Sequence, residues 1–230
     1  MRRFRPLSVT LAIALAVLPA ALAADTASRQ FMVTGHATLT KRWTYAASAT
    51  ADGCTSHVSA KGLRTISLRT TDFDAIHGSW AGGSARARYT GAVHFAGTVT
   101  QSGTKTTRIT GTAGCEKGTR TTTCARVRRT FSGRAVGLVS GHAHRIGFKP
   151  LRGIVAPAFY GDCPGEPTEI RRLSNDLEAA DVGYKERELF DPATGGYGIE
   201  GDTTVTTHVY KTPGVVVQRI RWSLLFRRVG

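Results

Sequence analysis

Arginines at two-residue spacing are the groups in this chain best suited to chemistry. Arg126 and Arg128 share one side of an extended strand, with Arg129 beside them, and Arg219 and Arg221 share one side of another. A guanidinium presents a fixed fork of donors that grips phosphate or carboxylate through two parallel hydrogen bonds. If the two strands are neighbours, four of these groups line up as a grip for a polyanion. An anionic cell-envelope polymer or acidic polysaccharide meets that description. Nucleic acid does not, because no exposed aromatic rings alternate with these arginines to stack on bases.

Other constellations specify less. His142-x-His144 puts two imidazoles on one side of a strand, a spacing that zinc and copper sites use, but no third ligand is set by the pattern. Asp72 with Asp74 and Glu186 with Glu188 are close carboxylate pairs. Glycoside cleavage depends on the separation of two such groups in space, which nearness in sequence does not supply. The chain has no Gly-x-Ser-x-Gly elbow, no phosphate-cradling glycine loop and no dinucleotide fingerprint. The sequence therefore implies no metal, no cofactor and no enzymatic activity.

Charge supports the anion reading in its distribution more than in its total of +15. Between Ala75 and Tyr160 the only acid is Glu116, whereas acids dominate from Gly161 to Asp202. Such segregation makes a dipolar surface able to attract an anionic partner. A second cause contributes: arginine far outnumbers lysine and Asn175 is the only asparagine, as GC-rich coding produces.

The elements that must position these groups begin after a leader. Arg2, Arg3 and Arg5, an apolar run from Leu7 to Leu18, and Ala21-Leu22-Ala23 have the order of a cleaved signal peptide over residues 1–23. That run is too short to span a bilayer, and no later stretch of the mature chain is apolar for long enough. The expected destination is outside the cytoplasm: secreted, at the cell envelope, or in the periplasm where an outer membrane exists. Residues 24–230 then form one disulfide-stabilised β domain. Four cysteines in an oxidising compartment read as two disulfides. The short polar segment between Cys115 and Cys124 favours that pair, and Cys54–Cys163 follows by elimination.

Alternation with period two runs through most of the mature chain. Phe31, Val33, Ala37, Leu39, Trp43 and Tyr45 share one parity, opposed by threonines, His36 and Arg42. Tyr89, Val93, Phe95 and Val99 repeat the pattern, as do Val216, Ile220, Trp222, Leu224 and Phe226. Gly82-Gly83, Ser102-Gly103, Gly195-Gly196 and Pro213-Gly214 break the runs. The fold class is all-β, a mainly antiparallel β-sandwich or β-barrel, with one or two short helices inserted near residues 166–190. Apolar positions at helical spacing across Pro164 to Val182 mark the first, and a second helical turn is expected around Lys185 to Phe190.

Trp43-Thr44-Tyr45, Gly53-Cys54, Gly62 and the closing run from Arg221 to Arg227 resemble uncharacterised secreted all-β proteins of high-GC bacteria. The resemblance touches both ends of the mature chain and implies export and a β architecture, with no known activity. The expectation is a non-enzymatic exported protein that binds anionic polymers through its arginine faces. The alternative is a lipocalin-like barrel holding a small apolar ligand, with Ala85, Ala87, Gly91 and Gly97 leaving room inside.

Overall fold

The computed structural model describes residues 26–71, 75–82, 87–136, 144–147, 181–209 and 212–229. The expected leader, Asp72, Asp74, Ala85, His142, Cys163 and positions 164–180 of the expected helical segment lie outside the described residues. The described chain forms strands β1 (Thr26–Ala51), β2 (Cys54–Thr70), β3 (Ala75–Ala81), β4 (Arg88–Thr90), β5 (Ala92–Gly111), β6 (Gly118–Val136), β7 (Arg145–Ile146) and β8 (Val182–Gly183). Helix α1 (Glu186–Phe190) and strands β9 (Gly196–His208) and β10 (Gly214–Arg228) follow.

One antiparallel sheet of eight strands contains all but β7 and β8, which pair with each other. Strand β1 is its spine. β10 pairs along one side of it, while β2 and then β3 follow each other along the other side. β5 continues outward from β2, β6 from β5, β4 from β3 and β9 from β10. The all-β, antiparallel expectation holds. Among the described residues β6 and β9 are each paired on one side only, so hydrogen bonding does not close the sheet into a barrel.

Period two decides which face is dry. The odd residues of β1 and the even residues of β2 and β10 face inward, and they carry the apolar side chains anticipated for β1 and β10. A main cluster gathers Phe31, Val33, Leu39, Ile220, Trp222 and Phe226 with Ile146 from β7 and Leu189 and Phe190 from α1. The sheet curls strongly here. Tyr89 on β4 and Phe226 on β10 stand three strand pairings apart, roughly 14 Å on a flat sheet, yet their ring centroids are 6.2 Å apart. A second cluster of Trp43, Tyr45, Ala60, Val209 and Val216 lies further along.

Glycines set opposite aromatic rings fix the register. Trp43 faces Gly62, Phe131 faces Gly97, and Phe95 faces Gly133 across neighbouring strands. A methyl group at Gly62 would overlap the indole, and one at Gly97 would run into the Phe131 ring and the Ser67 carbonyl. The space that Gly97 was expected to leave for a ligand is thus occupied by Phe131.

Two expectations about local structure need correction, and one tight turn was not anticipated. Ser102-Gly103 does not end a strand; it lies inside β5 at a bulge, where Ala125 and Arg126 of β6 stand opposite Ser102 alone. The extra residue is absorbed by local twist, so two expected strands are one of 20 residues. The tight turn of the long hairpin is instead Asp52-Gly53, both at positive φ (51° and 73°), the geometry of a two-residue type I′ loop. Lastly, Cys115 pairs with Cys54, so neither of the expected bridges, Cys115–Cys124 and Cys54–Cys163, forms. β6 starts at Gly118 and runs extended, carrying Cys124 roughly 20 Å from the turn at about 3.3 Å per residue. Cys54 opens β2 opposite Gly111, the last residue of β5, so the turn carrying Cys115 folds onto it. The single helical turn expected around Lys185 to Phe190 is present as α1.

Candidate functional site

Among the described strands only β9 carries an aspartate or glutamate. β1, β2, β5 and β6 contain no aspartate or glutamate, while their wet face exposes Arg42, Lys61, Arg69, Arg108 and Arg128. Threonine and serine fill the positions between, since β-branched threonine suits an extended backbone on a solvated face.

Register places the arginines singled out above. β6 and β10 are not neighbours; β1, β2 and β5 stand between them, so the guanidiniums do not form one contiguous row. They end a shared row instead. Arg219 lies opposite Thr40, Thr40 opposite Thr65, Thr65 opposite Thr100, and Thr100 opposite Arg128. Four strand spacings of about 4.8 Å put the ends roughly 19 Å apart, backbone to backbone. The next row runs from Arg221 through Thr38, Ser67 and Thr98 to Thr130. The result is a hydroxyl lattice framed by cations. Arg129 faces the other way, opposite inward-pointing Val99, and Arg126 sits at the bulge.

Electrostatics separates the two ends. Asp202 accepts from Arg219 through both carboxylate oxygens, at 3.2 and 2.9 Å, and from Arg221 Nε at 3.1 Å. The hydrogen bond from Arg219, assisted by Arg221, holds the Asp202 carboxyl below the usual carboxylate range. One carboxylate is therefore shared by two guanidiniums there, whereas Arg128 and Arg42 have no ion pair among the described residues.

Beside the lattice the wet face dips into an open groove of about 680 Å³. One transverse row crosses it: Glu200 on β9, Ser223 on β10, His36 on β1 and Arg69 on β2. Ser223 Oγ is 3.0 Å from His36 Nδ1. This is not a hydrolytic triad, because the carboxylate stands on the serine side and leaves the imidazole without an acidic orienter.

Two polar groupings on the dry side were not anticipated. Lys41, Arg64, Gln101 and Gln218 form a row across four strands on the inward face, with Arg64 Nε donating to Gln101 Oε1 at 2.8 Å. Lys41, Gln101 and Gln218 are all nearly inaccessible, and Gln218 Nε2 finds no acceptor among the described residues. The signal was legible: these residues have the inward parity of their strands. At the curled end His144, whose partner His142 lies outside the described residues, has φ of 58° and brings Nδ1 2.8 Å from buried Glu186. Tyr89 donates to Tyr184 there at 3.1 Å. Burial pushes both phenols upward, Tyr184 to about 12. Among the described residues no three His, Cys, Asp or Glu side chains are grouped to hold a metal.

Fold and face together define an antiparallel β protein with a cationic, hydroxyl-bearing outer surface. No protein-family model matches the chain, and neither the curated proteins nor the solved structures contain a match to it.

Proposed function

We propose that this is an exported protein that binds an anionic polymer of the cell envelope or its surroundings on the outer face of the sheet, without catalysing a reaction. The carrying observation is a surface of five neighbouring acid-free strands, β10, β1, β2, β5 and β6, crossed by a threonine row that ends in a guanidinium on each side. Such a face lowers the free energy of an extended polyanion by Coulomb attraction, while the hydroxyls donate to its oxygens. The Cys54–Cys115 bridge suits an oxidising compartment, in keeping with the leader expected over residues 1–23. Among the described residues no helix is long and apolar enough to cross a membrane.

Lodging a small apolar ligand inside the sheet is the competing reading. The side chains already filling that side weigh against it: Trp43, Ile220, Leu224 and Phe226 are each 1% exposed or less.

Retention on immobilised heparin against rising salt is the test. The triple variant Arg42→Glu, Lys61→Glu, Arg128→Glu is expected to elute well before the wild type. Each lost contact should lower the slope of log affinity against log salt by about one. Co-elution of variant and wild type at low salt would remove the outer face as the binding surface.

A further inference from the structure

The groove beside the lattice has a composition that a general polyanion surface does not need. Its transverse row reads carboxylate, hydroxyl, imidazole, guanidinium, from Glu200 through Ser223 and His36 to Arg69. Glu200 and Arg69 stand three strand spacings apart, roughly 14 Å between backbones. Neither has a side-chain partner among the described residues, and both are exposed. Leu225, directly opposite Thr34, adds an aliphatic wall on the same face. Gly198 lies opposite Leu225 on the other side and contributes no side chain; a methyl group there would meet nothing within 4 Å.

We infer that this groove is the subsite for an acidic sugar unit of the bound polymer, its carboxylate held by Arg69 and His36 and its hydroxyls by Ser223 and Glu200. The inference rests on the polyanion reading and narrows it to an acidic polysaccharide. A guanidinium and an imidazole supply donors to a carboxylate. A carboxylate such as that of Glu200 accepts but does not donate, so it repels a bare phosphate or sulfate chain and gains from a ligand rich in O–H donors. Leu225 offers the C–H surface of a pyranose ring an apolar contact. A polymer of phosphates uses none of these last features.

Calorimetric titration of the purified full chain with oligogalacturonate and with polyphosphate tests this, using Glu200→Gln and Gly198→Leu. Glu200→Gln removes the acceptor charge, and Gly198→Leu fills the groove without changing charge. Expected are a loss of roughly tenfold in oligogalacturonate affinity for each variant and polyphosphate binding that is unchanged or, for Glu200→Gln, tighter. Circular dichroism checks that both variants keep the β signature. Unchanged or tighter oligogalacturonate binding by both folded variants overturns the subsite but leaves the polyanion reading standing. A wild type that binds polyphosphate and not oligogalacturonate does the same. A wild type that binds neither polymer overturns both.

Discussion

The two ends of the long strands are built on different physics. At the curled end, β1 packs its inward side chains up to Leu39 into the cluster of Phe31, Phe190 and Phe226, and Trp43 and Tyr45 into the second cluster beyond it. At the far end the same strands run on as a four-stranded arm. No residue over 46–59 or 102–123 is buried. There the contacts are cross-strand polar pairs: Ser48 with His57 at 2.7 Å, Thr50 with Thr55 at 3.0 Å, and Thr106 with Thr121 at 3.1 Å. Such pairs contribute only about 0.2–1 kcal/mol each. The arm's two hairpin tips are joined by Cys54–Cys115, where apolar burial is absent. One end is held by exclusion of water, the other by a covalent clamp.

The largest effect should come from opening the first end. Phe226 is 1% exposed and stacks edge-on against Phe31, with ring centroids 5.7 Å apart. Phe226→Ala is expected to cost about 3–5 kcal/mol through lost burial and the cavity left behind. Equilibrium urea unfolding measures it, and a loss under about 1 kcal/mol would mean that the aromatic cluster does not anchor the curl.

Removing the clamp comes next. The bridge joins residues 61 apart, for which the chain-entropy model gives up to about 4 kcal/mol. Cys54→Ser with Cys115→Ser should lower the unfolding free energy by about 2–4 kcal/mol. Amide hydrogen exchange should rise over 46–59 and 102–123 more than around Phe31 and Phe226. Equal acceleration at both ends would erase the distinction between them.

The same contrast explains what the sequence made legible. Where burial dominates, period two is written in apolar residues, so the dry parity of β1 and β10 could be read directly from Phe31 to Tyr45 and from Val216 to Phe226. α1 was legible for a related reason: its buried positions Glu186, Leu189 and Phe190 lie at i, i+3 and i+4, one face of a helical turn. Strand neighbourhood was not legible, because pairing partners are chosen by long-range packing that no local pattern encodes. That is why a row of Arg126 and Arg128 with Arg219 and Arg221 depended on the two strands being neighbours, and three strands separate them. The cysteine pairing failed by reasoning from chain distance: nine residues of separation suggested proximity, but an extended β6 turns separation along the chain into distance. The groove row of Glu200, Ser223, His36 and Arg69 draws one residue from each of four strands, so only the register could assemble it.

The smallest effect sharpens the first end without altering its shape. Burial is the main reason that Tyr89 and Tyr184 are held protonated past the ordinary phenol value of 10.0, and for Tyr184 the nearby Glu186 and Tyr197 add to it, against the lowering effect of its hydrogen bond with Tyr89. A folded-state value above the unfolded one favours folding below pH 10.0. For Tyr184 that contribution shrinks between pH 10.0 and about 12, as the unfolded chain ionises before the folded one. Phenolate absorbance in the folded protein should therefore show two tyrosines lagging the rest, and the thermal midpoint should fall as pH rises above 10.0. Tyr89→Phe should reduce both signals, because it removes one lagging phenol and the 3.1 Å hydrogen bond to Tyr184. If every tyrosine of the folded chain ionises together near pH 10, water reaches these hydroxyls, and the curled end is not the dry region that its aromatic contacts describe.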